Sequence, residues 1–303
     1  MKLPHPIPYQ GSKRNIADKI LRYFPDEIHR LVEPFAGSAA ISIASAYYFK
    51  ANKFILNDIN QPLISLWNEI INNPNQIIKK YYDIWNGQAG NVDDYYYYIR
   101  KMFNETKQPE YLLFLLAKCV KAAVRYNAMG NFNQSPDKRR LGRNPQAMRE
   151  DILRVSHLFK NRVELFSADY SNILDTVTEY DLIYMDPPYQ GTGMNGGFNY
   201  AGSIDFDDFI LSLYSLSKRN IPFILSFDGR TENKTYGRPL PEELGLTKIE
   251  INAGRSTQAT LLNREEYTYE AIYLSPGLLQ KVNISSSRVV KNQFQKDLFE
   301  VYG

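Results

Sequence analysis

Apolar residues along this chain gather in short runs, and longer stretches of mixed pattern separate the runs. Residues 31–35, 54–56, 163–166, 182–185 and 223–227 read as buried strands, being brief, rich in branched and aromatic residues, and bounded by polar or turn residues. Helix-like stretches follow three of them, over 38–50, 62–72 and 206–218, and Pro62 suits a first helical turn. Strands alternating with helices predict an α/β fold on a mostly parallel, doubly wound sheet. Between about Trp85 and Pro145 the alternation stops and the chain reads as helical with polar loops. Residues 86–145 are therefore expected to form an inserted module within an α/β domain made of 1–85 and 146–303. Residues 248–252 and 267–274 predict an antiparallel pair at the sheet edge, and the tail from Ser275 is weakly specified.

Composition narrows the class. The chain has 303 residues, 44% of them apolar, enough for a sizeable core. Its single cysteine, Cys119, excludes an intrachain disulfide and fits a reducing cytoplasm. The first residues lack the apolar centre of a signal peptide. The longest apolar run, 111–124, is interrupted by Lys118 and Lys121 and is too short and charged to span a bilayer. A soluble cytoplasmic protein is expected. Net charge is only +3, but its distribution is uneven. From Lys118 to Arg143 seven basic residues stand against the lone acid Asp137, so this segment carries +6 and the remainder −3. A polyanionic partner and a solvated basic surface both fit that excess.

The most chemically specific stretch is Asp186-Pro187-Pro188-Tyr189, directly after an apolar strand. Ligands of open α/β sheets bind beyond the carboxyl ends of the strands. Two prolines make a stiff turn without N–H groups, leaving carbonyls free to accept hydrogen bonds. A carboxylate, a free carbonyl and an aromatic face then lie together, which suits an aromatic amino group. Asp186 and the Pro187 carbonyl could each accept one N–H and localise the nitrogen lone pair, while Tyr189 stacks on the ring. A strand-ending turn with a surface aspartate is the alternative. A second turn, from Leu31 through Glu33, Pro34, Phe35, Ala36, Gly37, Ser38 and Ala39, leads a strand into a helix through small residues, with Gly37 permitting close backbone approach. Asp58 follows about twenty residues on, an offset at which α/β folds often hold ribose hydroxyls; a helix cap is the alternative. The segment Tyr9-Gln10-Gly11-Ser12-Lys13 precedes an amphipathic stretch and by itself reads as a capped first helix. The three histidines, His5, His29 and His157, are scattered, so no metal is expected, and Cys119 is placed in a core helix rather than a nucleophile turn.

In this order the motifs resemble the DNA adenine methylase family, the Dam-type N6-adenine methyltransferases. The resemblance covers most of residues 5–275 and includes Arg125-Tyr126-Asn127 followed by Gly130, Phe132, Asn133 and Pro136. It implies a Rossmann-like methyltransferase sheet with a helical target-recognition insertion, and transfer of a methyl group from S-adenosylmethionine to N6 of a flipped adenine in double-stranded DNA. It implies cofactor contacts at Tyr9, Lys13, Asp58 and Asp186, the methionine moiety around Glu33 and the 34–39 loop, and the cofactor adenine at Asp169 and Tyr170. Tyr9 and Ala39 depart from the commoner tryptophan and glycine, and Ala39 would crowd the ligand if its φ were positive. Lys138, Arg139, Arg140 and Arg143 are expected on phosphates, and Arg125, on a helix supporting that loop, at a base edge, with an ion pair inside the module as the alternative for Arg125. The family reading implies a prokaryotic or phage-encoded enzyme, with a cognate restriction endonuclease as a candidate partner. Methylation of an RNA base or a protein glutamine, and a catalytically dead DNA-binding protein, are the rival functions.

Overall fold

The computed structural model describes residues 3–88, 92–188, 204–227, 230–231, 234–235, 238–255 and 267–282. After a short helix α1 (Ala17–Ile20), the chain runs β1 (Arg30–Glu33), α2 (Ala40–Tyr47) and β2 (Lys53–Asn57). A helical excursion follows: α3 (Gln61–Asn72), α4 (Pro74–Asn86), α5 (Val92–Thr106), α6 (Pro109–Lys118) and α7 (Pro145–Phe159). The α/β alternation then resumes with β3 (Val163–Phe166), α8 (Tyr170–Leu174), β4 (Asp181–Met185), α9 (Phe206–Lys218) and β5 (Phe223–Ser226). Two two-residue strands, β6 (Arg230–Thr231) and β7 (Lys234–Thr235), precede the long pair β8 (Thr247–Arg255) and β9 (Tyr267–Leu274), and α10 (Pro276–Val282) ends the described chain.

The strands lie in the order β3-β2-β1-β4-β5-β9, with β8 beside β9. β1 to β5 are mutually parallel, whereas β9 runs antiparallel to both β5 and β8. This is the α/β doubly wound sheet of the sequence reading. Every residue of β4 and β5 is buried, as a central parallel sheet covered on both faces requires. Alternate residues of one strand therefore serve different cores. Leu31, Leu182, Tyr184 and Ile224 face the layer of α2, α3, α6 and α7, while Val32, Ile183, Met185 and Leu225 face α8 and α9.

Helix bounds follow local chemistry. In α3 the buried positions Leu63, Leu66, Trp67, Ile70 and Ile71 recur at helical spacing. Asn144 caps α7 by accepting from the N–H groups of Gln146 and Ala147, and Asp205 caps α9 through Asp207 and Asp208. The first strand and its helix are shorter than expected. The first strand stops at Glu33 because Pro34 has no N–H for the ladder, and its helix starts at Ala40 because Gly37 and Ala39 take left-handed turn conformations.

Between β2 and β3 the described helices run from α3 to α7, and α4, which no strand–helix alternation announced, packs with α6 and α7. Leu112 to Ala117 of α6 are buried in the same core cluster as Leu31, Phe54 and Leu182, so the excursion shares the core of the sheet. Beyond α6 the chain is irregular. Cys119 does not sit inside a helix but terminates α6, buried, and Arg125 lies in an extended stretch rather than on a helix. Tyr126 bridges Phe132 across a tight turn there. Among the described residues no helix is long and apolar enough to cross a membrane.

Candidate active site

The chain reaches β1, moves outward through β2 and β3, then returns across β1 to β4. The carboxyl ends of β1 and β4 thus flank the point where the winding direction reverses, the usual ligand crevice of such sheets. A cavity of about 790 Å³ opens there, walled by the segments that follow β1, β2, β3 and β4 together with residues 9–13.

The turn after β1 is held from below by β2. Asn57 donates its side-chain amide to the carbonyls of Pro34 and Ala168 at 2.9 and 3.0 Å, tying together the ends of β1 and β3. The Ala36 amide donates to the Asn57 carbonyl at 2.8 Å. Asp58 accepts the Gly37 amide at 2.9 Å and the Asn60 amide at 3.0 Å, so its carboxylate anchors two loops at once. Trp67 of α3 donates its indole N–H to the Gly37 carbonyl at 2.9 Å, and Ser38 donates its hydroxyl to that of Ser12 at 2.8 Å. Gly37 has φ +48°, and a Cβ there would sit 3.1 Å from the Tyr9 ring. Ala39 does take a positive φ, 46°, but its side chain is buried in the core and is not part of the cavity wall.

Charge concentrates at this crevice. Lys13, 5% exposed, donates to both oxygens of Asp186, at 2.8 and 2.9 Å, and to the Gly11 carbonyl at 3.1 Å. Its ammonium also lies 4.0 Å from Glu270 on β9. Lys13 lines the cavity and is held there by the carboxylate of the strand-ending turn. Burial raises the Asp186 carboxyl above its ordinary range, and Glu270 adds to this, while the Lys13 charge opposes both. Burial pushes Asp58 up to about 6 and Glu33 up to about 8, the latter although it accepts the Ser42 amide at 2.6 Å. Burial raises the Tyr9 hydroxyl well above its usual value, and Asp58 raises it further.

One wall is aromatic. Phe35 and Tyr170 face each other at 5.2 Å, and both pack on Phe209 of α9. Asp169 caps α8 by accepting the Ser171 amide and hydroxyl at 2.9 and 2.6 Å. Pro187 is buried and Pro188 exposed; both line the cavity beside Asp186, and Tyr189 lies outside the described residues. Sequence reasoning missed Ile59, Ile204, Asp205, Asp208 and Ser212 in the lining, as well as Glu270 beside it. An aspartate ahead of a helical pattern could have marked Asp205 as a cap; nothing local marks Glu270.

The basic segment divides. Arg125 is exposed at the cavity mouth, next to Val124. Tyr126 donates its hydroxyl to the Asn60 side chain at 3.3 Å, and the Asn127 side chain accepts the amides of Met129 and Asn131, holding the turn. Lys138 and Arg139 are exposed, Arg139 forming a two-pronged contact with Asp137. Arg140 donates to the Cys119 carbonyl and pairs with Asp137. Arg143 is half-buried, its guanidinium paired with Asp151 and donating to the carbonyls of His5 and Ala147. Lys118 is fully buried and donates to the Gln88 side chain at 3.0 Å. Part of the local +6 charge is therefore internal. Among the described residues no group of His, Cys, Asp and Glu is arranged to hold a metal ion.

The family model of the D12 class N6 adenine-specific DNA methyltransferases matches residues 9–251. The chain is 30% identical over 203 residues to a DNA adenine methylase of Haemophilus influenzae, covering 65% of this chain and 68% of that protein. It is 27% identical over 198 residues to a DNA N-6-adenine-methyltransferase of Escherichia phage P1, covering 64% of this chain but only 25% of the phage protein. It is 26% identical over 220 residues to the Type II methyltransferase M.MjaIII of Methanocaldococcus jannaschii, with 67% and 74% covered.

Proposed function

We propose an activity that proceeds from one premise: this chain belongs to the D12 class of N6 adenine-specific DNA methyltransferases. It transfers a methyl group from S-adenosylmethionine to the N6 amino group of adenine in double-stranded DNA. The observation that carries this reading is the Asp186-Pro187-Pro188 turn at the carboxyl end of β4, opening on the cavity at the reversal point of the sheet.

The donor set suits S-adenosylmethionine. Glu33, Asp58, Asp169 and Asp186 surround the cavity with Lys13 as the cation among them, an excess of negative charge that favours a sulfonium and an ammonium. Three of these carboxyls are raised by burial, and a bound cation would draw them back to the ionised form. The Phe35–Tyr170 wall offers an aromatic face for the adenine ring, with Asp169 at its edge. Asp58 fixes the Gly37 amide at the cavity wall, on the side that would meet the ribose. Tyr9 and the 34–38 turn close around the methionine end. When bound, S-adenosylmethionine supplies an activated methyl group.

The target base has to leave the helix, at roughly a few kcal/mol of unstacking, because its amino group is otherwise paired. Asp186 and the Pro187 carbonyl accept its two N–H groups and hold the nitrogen lone pair in line, so that catalysis is chiefly positioning. Lys138, Arg139 and Arg140 serve the phosphates, Arg125 at the cavity mouth reads a base edge, and Tyr126 and Asn127 shape the turn beside it. Arg143 and Lys118 hold the module together. The setting is the cytoplasm of a prokaryotic cell, and a restriction endonuclease is a candidate partner.

The test is transfer of a tritiated methyl group to DNA, RNA and protein. Label should appear on adenine N6 of duplex DNA and vanish with Asp186→Ala, with DNA affinity kept. Label on RNA or protein instead, or near-parent turnover by Asp186→Ala, would overturn the reading.

A further inference from the structure

We propose that Glu270 is a positioning residue of this site: it shares the Lys13 ammonium with Asp186, and so frees Asp186 to accept the target amino group. The inference rests on the amino-methylation reading above.

Both oxygens of Asp186 are engaged by one ammonium, at 2.8 and 2.9 Å. A carboxylate so neutralised is a weak acceptor for a neutral N–H, since the strength of such bonds follows the charge left on the oxygen. Lys13 and Asp186 therefore form an arrangement that protects the free site but opposes the chemistry proposed for it. Glu270 supplies the counterweight. Its carboxylate stands 4.0 Å from the same nitrogen, too far for a hydrogen bond. A displacement of about 1 Å by the flexible lysine would convert that charge contact into a hydrogen bond. Lys13 keeps its third donor on Gly11 and stays buried.

The placement of Glu270 follows from the sheet. It lies on β9, opposite Ile251 of β8, and the next residue, Ala271, accepts the Phe227 amide just past the end of β5. Because β9 runs antiparallel to β5, its early residues emerge at the carboxyl ends of the parallel strands, beside Asp186. The segment carrying Lys13 is fastened to the same edge, since Lys19 of α1 donates to the Asn252 carbonyl of β8 at 2.7 Å. Lys13 thus sits between β4 and β9 by construction.

The experiment compares Glu270→Gln, Lys13→Met and the double variant in single-turnover methyl transfer to duplex DNA. Glu270→Gln should slow the transfer step roughly tenfold while leaving the melting temperature unchanged and the donor and DNA affinities within about twofold of the parent. In the Lys13→Met background the same change should add nothing, because Glu270 acts through the lysine. Glu270→Asp should recover part of the rate. Parent-level rates in Glu270→Gln, equal losses in both backgrounds, or a rate loss tracking a fall in melting temperature would overturn the proposal. A second readout does not need turnover. Removing the Glu270 charge should move the Asp186 carboxyl pKa downward in an NMR titration, and an unmoved carboxyl would overturn the coupling. If the parent protein modifies no DNA while that titration moves, the proposed substrate fails and the Glu270 coupling stands.

Discussion

Gly37 shows how single residues set this site. It has φ +48°, a left-handed conformation that costs a residue with a side chain roughly 1–2 kcal/mol, and any Cβ would press on the Tyr9 ring at 3.1 Å. Its amide and carbonyl are both spoken for, by Asp58 and Trp67, so the turn cannot rotate away from the clash without breaking a buried hydrogen bond. Gly37→Ala should therefore lower unfolding free energy by about 1–3 kcal/mol in a denaturant titration. The same substitution should weaken S-adenosylmethionine binding at least tenfold by calorimetry. Parent-like affinity in the alanine variant would place the ligand elsewhere. Ala39, two residues on, takes a similar conformation with its methyl group in the core, which shows that the fold bears that strain where no ring opposes it.

Among elements, the irregular stretch between α6 and α7 decides how the basic residues divide. Arg139 is 83% exposed, whereas Arg143 is 28% exposed and buried against Asp151 and the backbone of His5, and this difference separates two roles for residues of one type. Arg143→Ala removes the charged partner of Asp151, itself 11% exposed, which keeps the His5 amide at 2.9 Å, and should cost roughly 1–3 kcal/mol, read as a lower denaturation midpoint. Arg139→Ala should leave the denaturation midpoint where it is in the parent. It should instead weaken binding to all DNA sequences alike and reduce the salt slope of log affinity by about one unit. Equal effects of the two substitutions on stability, or an unchanged salt slope for Arg139→Ala, would remove this assignment. The N-terminal segment couples to the same stretch: Gln10 donates its amide to the Ala122 carbonyl at 3.0 Å, three residues from Lys13 on one side and from Arg125 on the other.

At the scale of the molecule, three carboxyls raised by burial meet at the crevice where the sheet reverses direction, and global stability should feel it. Glu33 rises from an ordinary 4.5 to about 8 and Asp58 from 3.8 to about 6, so the folded chain retains protons that the unfolded chain releases. The sign follows directly: stability is greatest below the ordinary values and falls as pH climbs through the folded ones. Without ligand, unfolding free energy should decline between about pH 4 and 8, most steeply up to about pH 6, where Asp58 and Glu33 both contribute, and less steeply above it, where Glu33 alone of these two does. Glu33→Gln keeps an acceptor for the Ser42 amide but carries no charge, so it should flatten the decline between about pH 6 and 8. Parallel curves for parent and variant across that range would show that Glu33 is not buried in its neutral form.

Local pattern determined a good deal here. Brief apolar runs, helical spacing and the paired prolines after Asp186 mark the strands, several helices and a loop that lines the crevice, because backbone sterics and side-chain periodicity act within a few residues. The expected strand at 163–166 and helix at 206–218 coincide with β3 and α9, and the turn beginning at Asp186 leaves the strand where its prolines forbid a ladder. Tertiary structure decided what those residues do to one another. Lys13 lies on a carboxylate 173 residues away, Arg143 turns inward to Asp151, and α6 enters the core of the sheet, although its sequence read only as part of an insertion. Glu270 bears no local mark at all, since its meaning is a distance to Lys13. Charge pairing and packing depend on which elements the sheet order brings together, and no window of sequence contains that order.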